Sequence, residues 1–413
     1  MNTKTNKLGR NFYLLWSSSV ISSFGNQITI IGLPLIALYV LKASVFEISL
    51  ITTFTFLPNF LLGFQAGAYV DRLSNKKVMI VSQMLSAIFL TILSCLIIFE
   101  YLNLFPLYIL AFLLGSCSVF FSLAYYSYMP MIVDKKNLQD GNSRLEITNG
   151  AIQIAGPGFG GLLIQMLTIP FAILFDVLSF IISLVLISLI PERKDIKTNS
   201  TIKQKKSIWI DVIEGIKFTF SHSLLRPLLI SYFLSVIFIG LYQAISVIYM
   251  VNILGFTAAT IGLILGIGNV GYILGALISK KVASIIGLGK SIIVSLGLYS
   301  VGFLIIGFAP EKTPFYFVII SQLVISMGTP IYNVNAISLR QALTPKPLLA
   351  RVSSMWRVLG RGFVPIGAFV GGGLANFMGL REVIFIAAIG GFLALLPSVF
   401  SKVTKVTTTD IDL

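Results

Sequence analysis

A chain of 413 residues with fifteen acids places its charges sparingly, so each cluster of them is informative. One short stretch, GAYVDRLSNKKVMI at 67–80, gathers Gly67, Asp71, Arg72, Lys76 and Lys77 between two long apolar runs. Gly67 and Asp71 stand four apart and share a helix face. Glycine lets a second helix approach closely, and Asp71 can then accept hydrogen bonds from that neighbour's N-terminus, where the helix dipole is positive. A plain basic loop is the alternative reading. Two further acids, Asp176 and Glu146, lie inside apolar runs. An ionisable residue there is suspect as a functional group, here one that takes up and releases a proton, with a hydrogen-bonded structural acid as the alternative. Other chemistries find little support. His222 is the single histidine, and the sequence has no HExxH, no paired acids and no GxxxxGK[ST]. Cys95 and Cys117 sit in apolar runs without a CxxC pair, which reads as inert thiols, and no metal site is expected.

The elements that must position these residues follow from composition. Hydrophobic residues make up 56% of the chain and charged ones 11%, with mean hydropathy +0.94, whereas a soluble domain carries about a quarter charged residues. Apolar runs of about 20 residues cross a bilayer, and twelve are found: 12–41, 46–70, 77–99, 104–128, 145–168, 170–190, 226–252, 257–279, 288–309, 314–339, 350–378 and 380–401. The fold class expected is an all-α membrane protein. The first run is too long for a signal-peptide core and reads as a span. Pro170 and Gly379 punctuate two tight hairpins. Of the 30 basic residues, all but Lys42, Lys312, Arg381, Arg357 and Arg361 fall on one side if the N-terminus is cytoplasmic. The positive-inside rule then puts both termini in the cytoplasm of an inner-membrane protein. The net charge of +15 is dispersed in this way rather than gathered for nucleic acid, so none is expected as a partner; the bilayer is.

The stretch 191–225 has the composition of a cytoplasmic linker. It divides an N-terminal six-helix bundle, 1–190, from a C-terminal bundle with a short tail, 226–413. Within the linker Ile208, Trp209, Val212, Ile213 and Ile216 recur at helical spacing, as in an amphipathic helix on the membrane surface. Shifting the sequence by 208 positions lays Gly63 and Gly67 on Gly271 and Gly275, Asp71 on Ser279, and Pro157 on Pro365. Such an offset favours two pseudo-symmetric halves, a plan of secondary transporters with the substrate site between repeats.

On these residues the chain resembles, over nearly its whole length, the major facilitator superfamily, and within it the twelve-span drug-exporter branch that includes macrolide efflux proteins and the enterobactin exporter. Gly67, Asp71, Arg72, Lys76 and Lys77 fit the signature after the second helix, with Ser74 and Asn75 where Gly and a basic residue are common. The resemblance implies that Asp71 meets the start of the eleventh helix near Arg351, and that the cluster latches the two halves on the cytoplasmic side. Gly156, Pro157, Gly160 and Gly161 resemble a motif of antiporters, with Ile152 in place of its leading Gly and Gly150 nearby. Glycine-rich packing unrelated to direction is the alternative.

Polar residues inside spans suggest a cavity lining. Asn26 and Gln27 come from the first span, Tyr125 and Tyr126 from the fourth, and Tyr242 and Gln243 from the seventh. Gln322, Tyr332, Asn333 and Asn335 belong to the tenth. Amides and tyrosines suit a small amphiphilic substrate, though each tyrosine alone also reads as a packing residue. Arg340 and Arg361 are candidate partners for the acids or for anionic groups. The expectation is a proton-driven exporter, an antiporter of lipophilic drugs or antibiotics such as macrolides. It needs no cofactor beyond the proton gradient and works as a monomer. An exporter devoted to a siderophore or peptide is the alternative. A non-transporting membrane sensor and an enzyme are weaker classes.

Overall fold

In hydrocarbon every backbone N–H and C=O must find its partner within the protein, and the computed structural model meets that demand with helices. It describes residues 8–63, 73–133, 137–191, 208–310, 313–345 and 348–407. The order begins with α1 (Gly9–Leu35), prolonged by a π-helical turn at Ile36–Val40, then α2 (Val45–Leu61), α3 (Asn75–Ile98) and α4 (Leu104–Ile132). It continues with α5 (Leu138–Leu167), α6 (Ile169–Ser188), α7 (Ile208–Ser221) and α8 (Leu225–Asn252). The remainder is α9 (Ala258–Gly268), α10 (Val270–Ile286), α11 (Leu288–Gly307), α12 (Pro314–Leu343), α13 (Leu349–Gly362), α14 (Val364–Met378), α15 (Leu380–Leu393) and α16 (Leu396–Val399). Among the described residues ten segments are long and apolar enough to cross a membrane, and α2 and α14 are shorter apolar helices. The all-α, twelve-helix class expected from hydropathy is the one found.

Three spans differ from their hydropathy outlines. The eighth runs to Ile286 and is interrupted at Asn269, between α9 and α10. There the Asn269 side chain accepts a hydrogen bond from Ser326 Oγ at 3.0 Å. The eleventh divides at Phe363: α13 carries Arg351, Arg357 and Arg361, and α14 restarts with Pro365 in its first turn. Proline is tolerated there because a first-turn N–H has no helical acceptor. In the second span the described helix ends at Leu61. The hairpins fall where expected, at Thr168, whose φ is +65°, beside Pro170, and at Gly379, with φ +102°. Glycine adopts the second without penalty; threonine does not at the first.

The chain gathers into two compact units. One comprises Met1–Lys42, Leu61–Lys203 and Thr257–Leu263, and the other Ala43–Phe60, Gln204–Phe256 and Ile264–Leu413. The first is built on Phe12, Leu15, Met79, Tyr125, Met129 and Ile187, all buried. There Trp16 Nε1 donates to Thr148 Oγ1 at 3.0 Å, joining α1 to α5. In the second unit Tyr232 stacks on Tyr332 at 4.8 Å and on Trp356 at 5.6 Å. The Arg340 guanidinium lies 5.1 Å from the Trp356 ring centroid, a cation–π contact. Gly271 and Gly275 of α10 press against the backbone of α12 at Leu323 and Met327, so the second copy of the glycine pair serves close packing.

Helix α7 falls within the stretch 191–225. Glu214 of α7 accepts a hydrogen bond from Arg351 Nη1 of α13, and Gly215 faces the Arg351 carbonyl, which a β-carbon would meet at 3.2 Å. Ile213, Ile216 and Phe220 form an exposed apolar stripe at i, i+3 and i+7.

Candidate functional site

Along α6, Asp176, Ser179 and Ser183 recur at i, i+3 and i+7 and therefore share a face. All three are buried, Asp176 completely, at 0% exposure. The facing helix α1 carries its own small-residue stripe of Ser18, Ser22, Gly25 and Thr29, each buried. The two stripes meet. Thr29 Oγ1 donates to Asp176 Oδ2, and Ser179 Oγ lies 2.9 Å from Asp176 Oδ1 and 2.7 Å from the Asp176 carbonyl oxygen. Gly25 makes the room: a β-carbon there would clash with Asp176 Oδ1 and the Ser179 hydroxyl. One turn further, Gln83 of α3 donates through Nε2 to Ser183 Oγ at 2.6 Å. Among the described residues no Lys or Arg side chain forms an ion pair with Asp176. Among the described residues its carboxyl is held by the hydroxyls of Thr29 and Ser179.

Beside Thr29 lies a cavity of about 100 Å³, lined by Ser22, Ser23, Asn26, Thr29, Gln83 and Ser86 among others. Its polar walls could hold a few water molecules. A carboxyl behind Thr29, a space in front of it able to hold water, and hydroxyls between could serve proton uptake and release.

The glycine-rich stretch of α5 approaches two neighbours. On one side a β-carbon at Gly156 would meet Gln27 Cγ at 2.5 Å, and one at Gly160 would meet the Gln27 backbone at 3.1 Å. On the other, a β-carbon at Gly161 would strike the Ala258 carbonyl oxygen and lie 3.2 Å from the Gly262 α-carbon. A β-carbon at Gly262 would in turn strike the Pro157 carbonyl. Gln27, expected to line a cavity, is thereby a packing partner of the glycines, and α5 touches α9 backbone to backbone.

Asn26 lines the polar cavity. Tyr242 is buried, accepts a hydrogen bond from Gln322 Nε2 at 3.2 Å and stacks on Phe303 at 4.3 Å. Asn335 is buried and donates to the Ser279 carbonyl at 3.5 Å, whereas Tyr126, Gln243 and Asn333 are exposed. Glu146 is in α5 and Arg361 in α13; their side chains lie outside the described residues, as do Gly67, Asp71 and Arg72 altogether. Of the basic cluster, Lys76 Nζ donates to the carbonyls of Ser188 and Ile190, at 3.0 and 2.5 Å. Lys77 is exposed. Thr29, Ser179, Ser183 and Gln83 were not singled out by sequence. The signal that marks the first three is the recurrence of small polar residues on one face of each of two otherwise apolar helices.

The chain as a whole is similar to known transporters. The chain is 28% identical to the MFS-type transporter YfiS of Bacillus subtilis strain 168 over 304 residues, 73% of this chain and 69% of that one. It is 25% identical to the multidrug efflux pump Tap of Mycolicibacterium fortuitum over 390 residues, 92% of each chain. The nucleoside transporter NupG superposes with TM-score 0.77 at 13% identity, over 94% of this chain and 99% of that one. A bacterial homologue of the iron transporter ferroportin, in an inward-facing state, gives 0.71 at 19%, over 96% and 98%. At such identities these two structures speak to the fold alone. A family model described as transmembrane secretion effector matches residues 8–412, so the chain belongs to that family of major facilitator membrane transporters.

Proposed function

We propose that the chain is a proton-coupled exporter of lipophilic drug-like molecules, macrolide antibiotics among them, working as an antiporter in the cytoplasmic membrane. The observation that carries this reading is Asp176, wholly buried between Thr29 and Ser179, without an ionic partner among the described residues, and bonded to the Thr29 that lines a polar cavity. Buried intramembrane acids of this sort mark proton relays in pumps and transporters. Export of drugs is supported by the resemblance to the efflux pump Tap. Exposed Tyr126, Gln243 and Asn333 are open to a ligand, Tyr126 supplying aromatic area and the amides hydrogen bonds. The siderophore or peptide alternative leaned on Arg340 and Arg361 as readers of negative groups. Arg340 lies over the Trp356 ring.

Domains 1–190 and 226–413 act in this proposal as the two halves of an alternating-access carrier, with both termini and the 191–225 linker cytoplasmic and a monomer as the working unit. A protonophore tests the reading directly. Cells expressing the chain accumulate less of a lipophilic compound panel than cells without it, and the protonophore removes the difference. Equal accumulation in both cell lines, across a panel that includes macrolides, overturns the proposal.

The latch belongs to the same reading: Asp71, with Gly67, Arg72, Lys76 and Lys77, holds the cytoplasmic side. Asp71→Asn removes a charge without changing shape. It is expected to lower the export rate about tenfold or more, as loss of a charged hydrogen bond worth about 1.5–3 kcal/mol would, at unchanged membrane abundance. Wild-type export by the variant would remove Asp71 from the mechanism.

A further inference from the structure

We propose that the groove between α3 and α4 binds one acyl chain of an anionic phospholipid, with the lipid phosphate at Lys77. The groove has a volume of about 500 Å³, and Lys77, Val81, Leu85 and Phe89 line it on the α3 side. Leu113 and Phe120 of α4 close the other wall. From Lys77 to Phe89 it extends about 18 Å at 1.5 Å per residue, a length suited to an acyl tail lying parallel to the helices. Its lining is mostly apolar along that length, interrupted by Ser82 and by Ser116, whose hydroxyl is satisfied by the Phe112 carbonyl at 2.8 Å. Val81, 46% exposed, and Leu73, 57% exposed, show that the groove opens outward rather than into the bundle.

The charge at the mouth selects the occupant. The two adjacent lysines are put to different uses. Lys76 is tied to the carbonyls at the end of α6, while Lys77 is exposed and lines the groove. Ser74, also in the lining, precedes the first turn of α3 and makes no side-chain capping bond to it. A cation beside a helix N-terminus favours a phosphate and disfavours a lipophilic cation. An apolar trough leading from that point favours a diacyl lipid over a free anion. Cys117 lines both this groove and the polar cavity beside Thr29, so the lipid tail would reach the outer wall of that cavity.

Native mass spectrometry of the purified full chain tests this, with phosphatidylglycerol and phosphatidylcholine of identical acyl chains as probes. The wild type is expected to retain phosphatidylglycerol over phosphatidylcholine by about fivefold, the contribution of one lysine near a lipid surface. Lys77→Arg keeps that preference and Lys77→Gln loses it. Ser116→Phe fills the groove with Lys77 intact and lowers retention of both lipids. Excess inorganic phosphate leaves the lipid bound. Equal retention of the two lipids by the wild type overturns the proposal, as does an undiminished preference in Lys77→Gln. Displacement by inorganic phosphate does so too, because it would reveal a site for free anions.

Discussion

Asp176→Asn is expected to abolish accumulation of substrate against its gradient while leaving downhill exchange across the membrane in place. Asparagine matches aspartate in shape. Its carbonyl oxygen can still accept from Thr29, and its amide can donate to the Ser179 hydroxyl, the two partners seen here. The loss to folding is then at most that of one weakened hydrogen bond, about 1 kcal/mol, too little to remove the protein from the membrane. What the variant cannot do is exchange a proton. Counterflow and concentrative uptake into inverted vesicles, measured on one preparation, separate the two activities. Retention of both, with undiminished sensitivity to a protonophore, would make Asp176 a structural residue and move coupling to Glu146 or another ion. Loss of both would indicate a damaged fold. Thr29→Val offers an independent check, since it removes the hydroxyl donor at nearly constant volume and should alter the pH dependence of concentrative transport.

The second large effect is expected at Gly161. Its missing side chain lets the Ala258 carbonyl and the Gly262 α-carbon approach, and both belong to backbone that cannot rotate away. Gly161→Ala therefore overpacks the α5–α9 contact at a cost on the order of 1–3 kcal/mol. If the transport cycle passes through the state with this contact formed, its rate falls by about tenfold or more at equal membrane abundance. Gly150→Ala is the matched control on the same helix: nothing lies within 4 Å of the β-carbon it would add, and transport should be unchanged. Equal activity of the two variants would show that the close approach has no part in the cycle.

The two residues differ in how far they could be read before the fold was known. Asp176 stood out because an acid in an apolar run is rare, and a one-dimensional pattern is enough to show that. Its partner Thr29 did not, because the 147 residues between them are bridged only when α1 and α6 pack. The spans themselves were legible, since the hydrocarbon imposes a length and a polarity that composition records directly. Interruptions within spans were less so. At Phe363 the helix breaks, to restart at Val364 one residue ahead of Pro365, and hydropathy averages over such a break. At Asn269 no proline or charge announces it, and the asparagine is held by Ser326 from another helix. The docking of α7 through Glu214 and Gly215 onto α13 was not legible, because the 137 residues between Glu214 and Arg351 are bridged only when the two helices pack.

The placement of two tryptophans has a consequence for spectroscopy. Trp16 belongs to the first unit and is hydrogen-bonded across α1 and α5, whereas Trp356 belongs to the second and sits between Tyr232 and the Arg340 guanidinium. A cation beside an indole and a proton donor bonded to a hydroxyl shift emission in different ways, so each unit carries its own intrinsic fluorophore with its own environment. The chain has three tryptophans in all, the third being Trp209. Replacing that one with phenylalanine would leave one emitter per unit, and light could then report separately on the α1–α5 contact and on the α12–α13 stack as substrate or a gradient is applied.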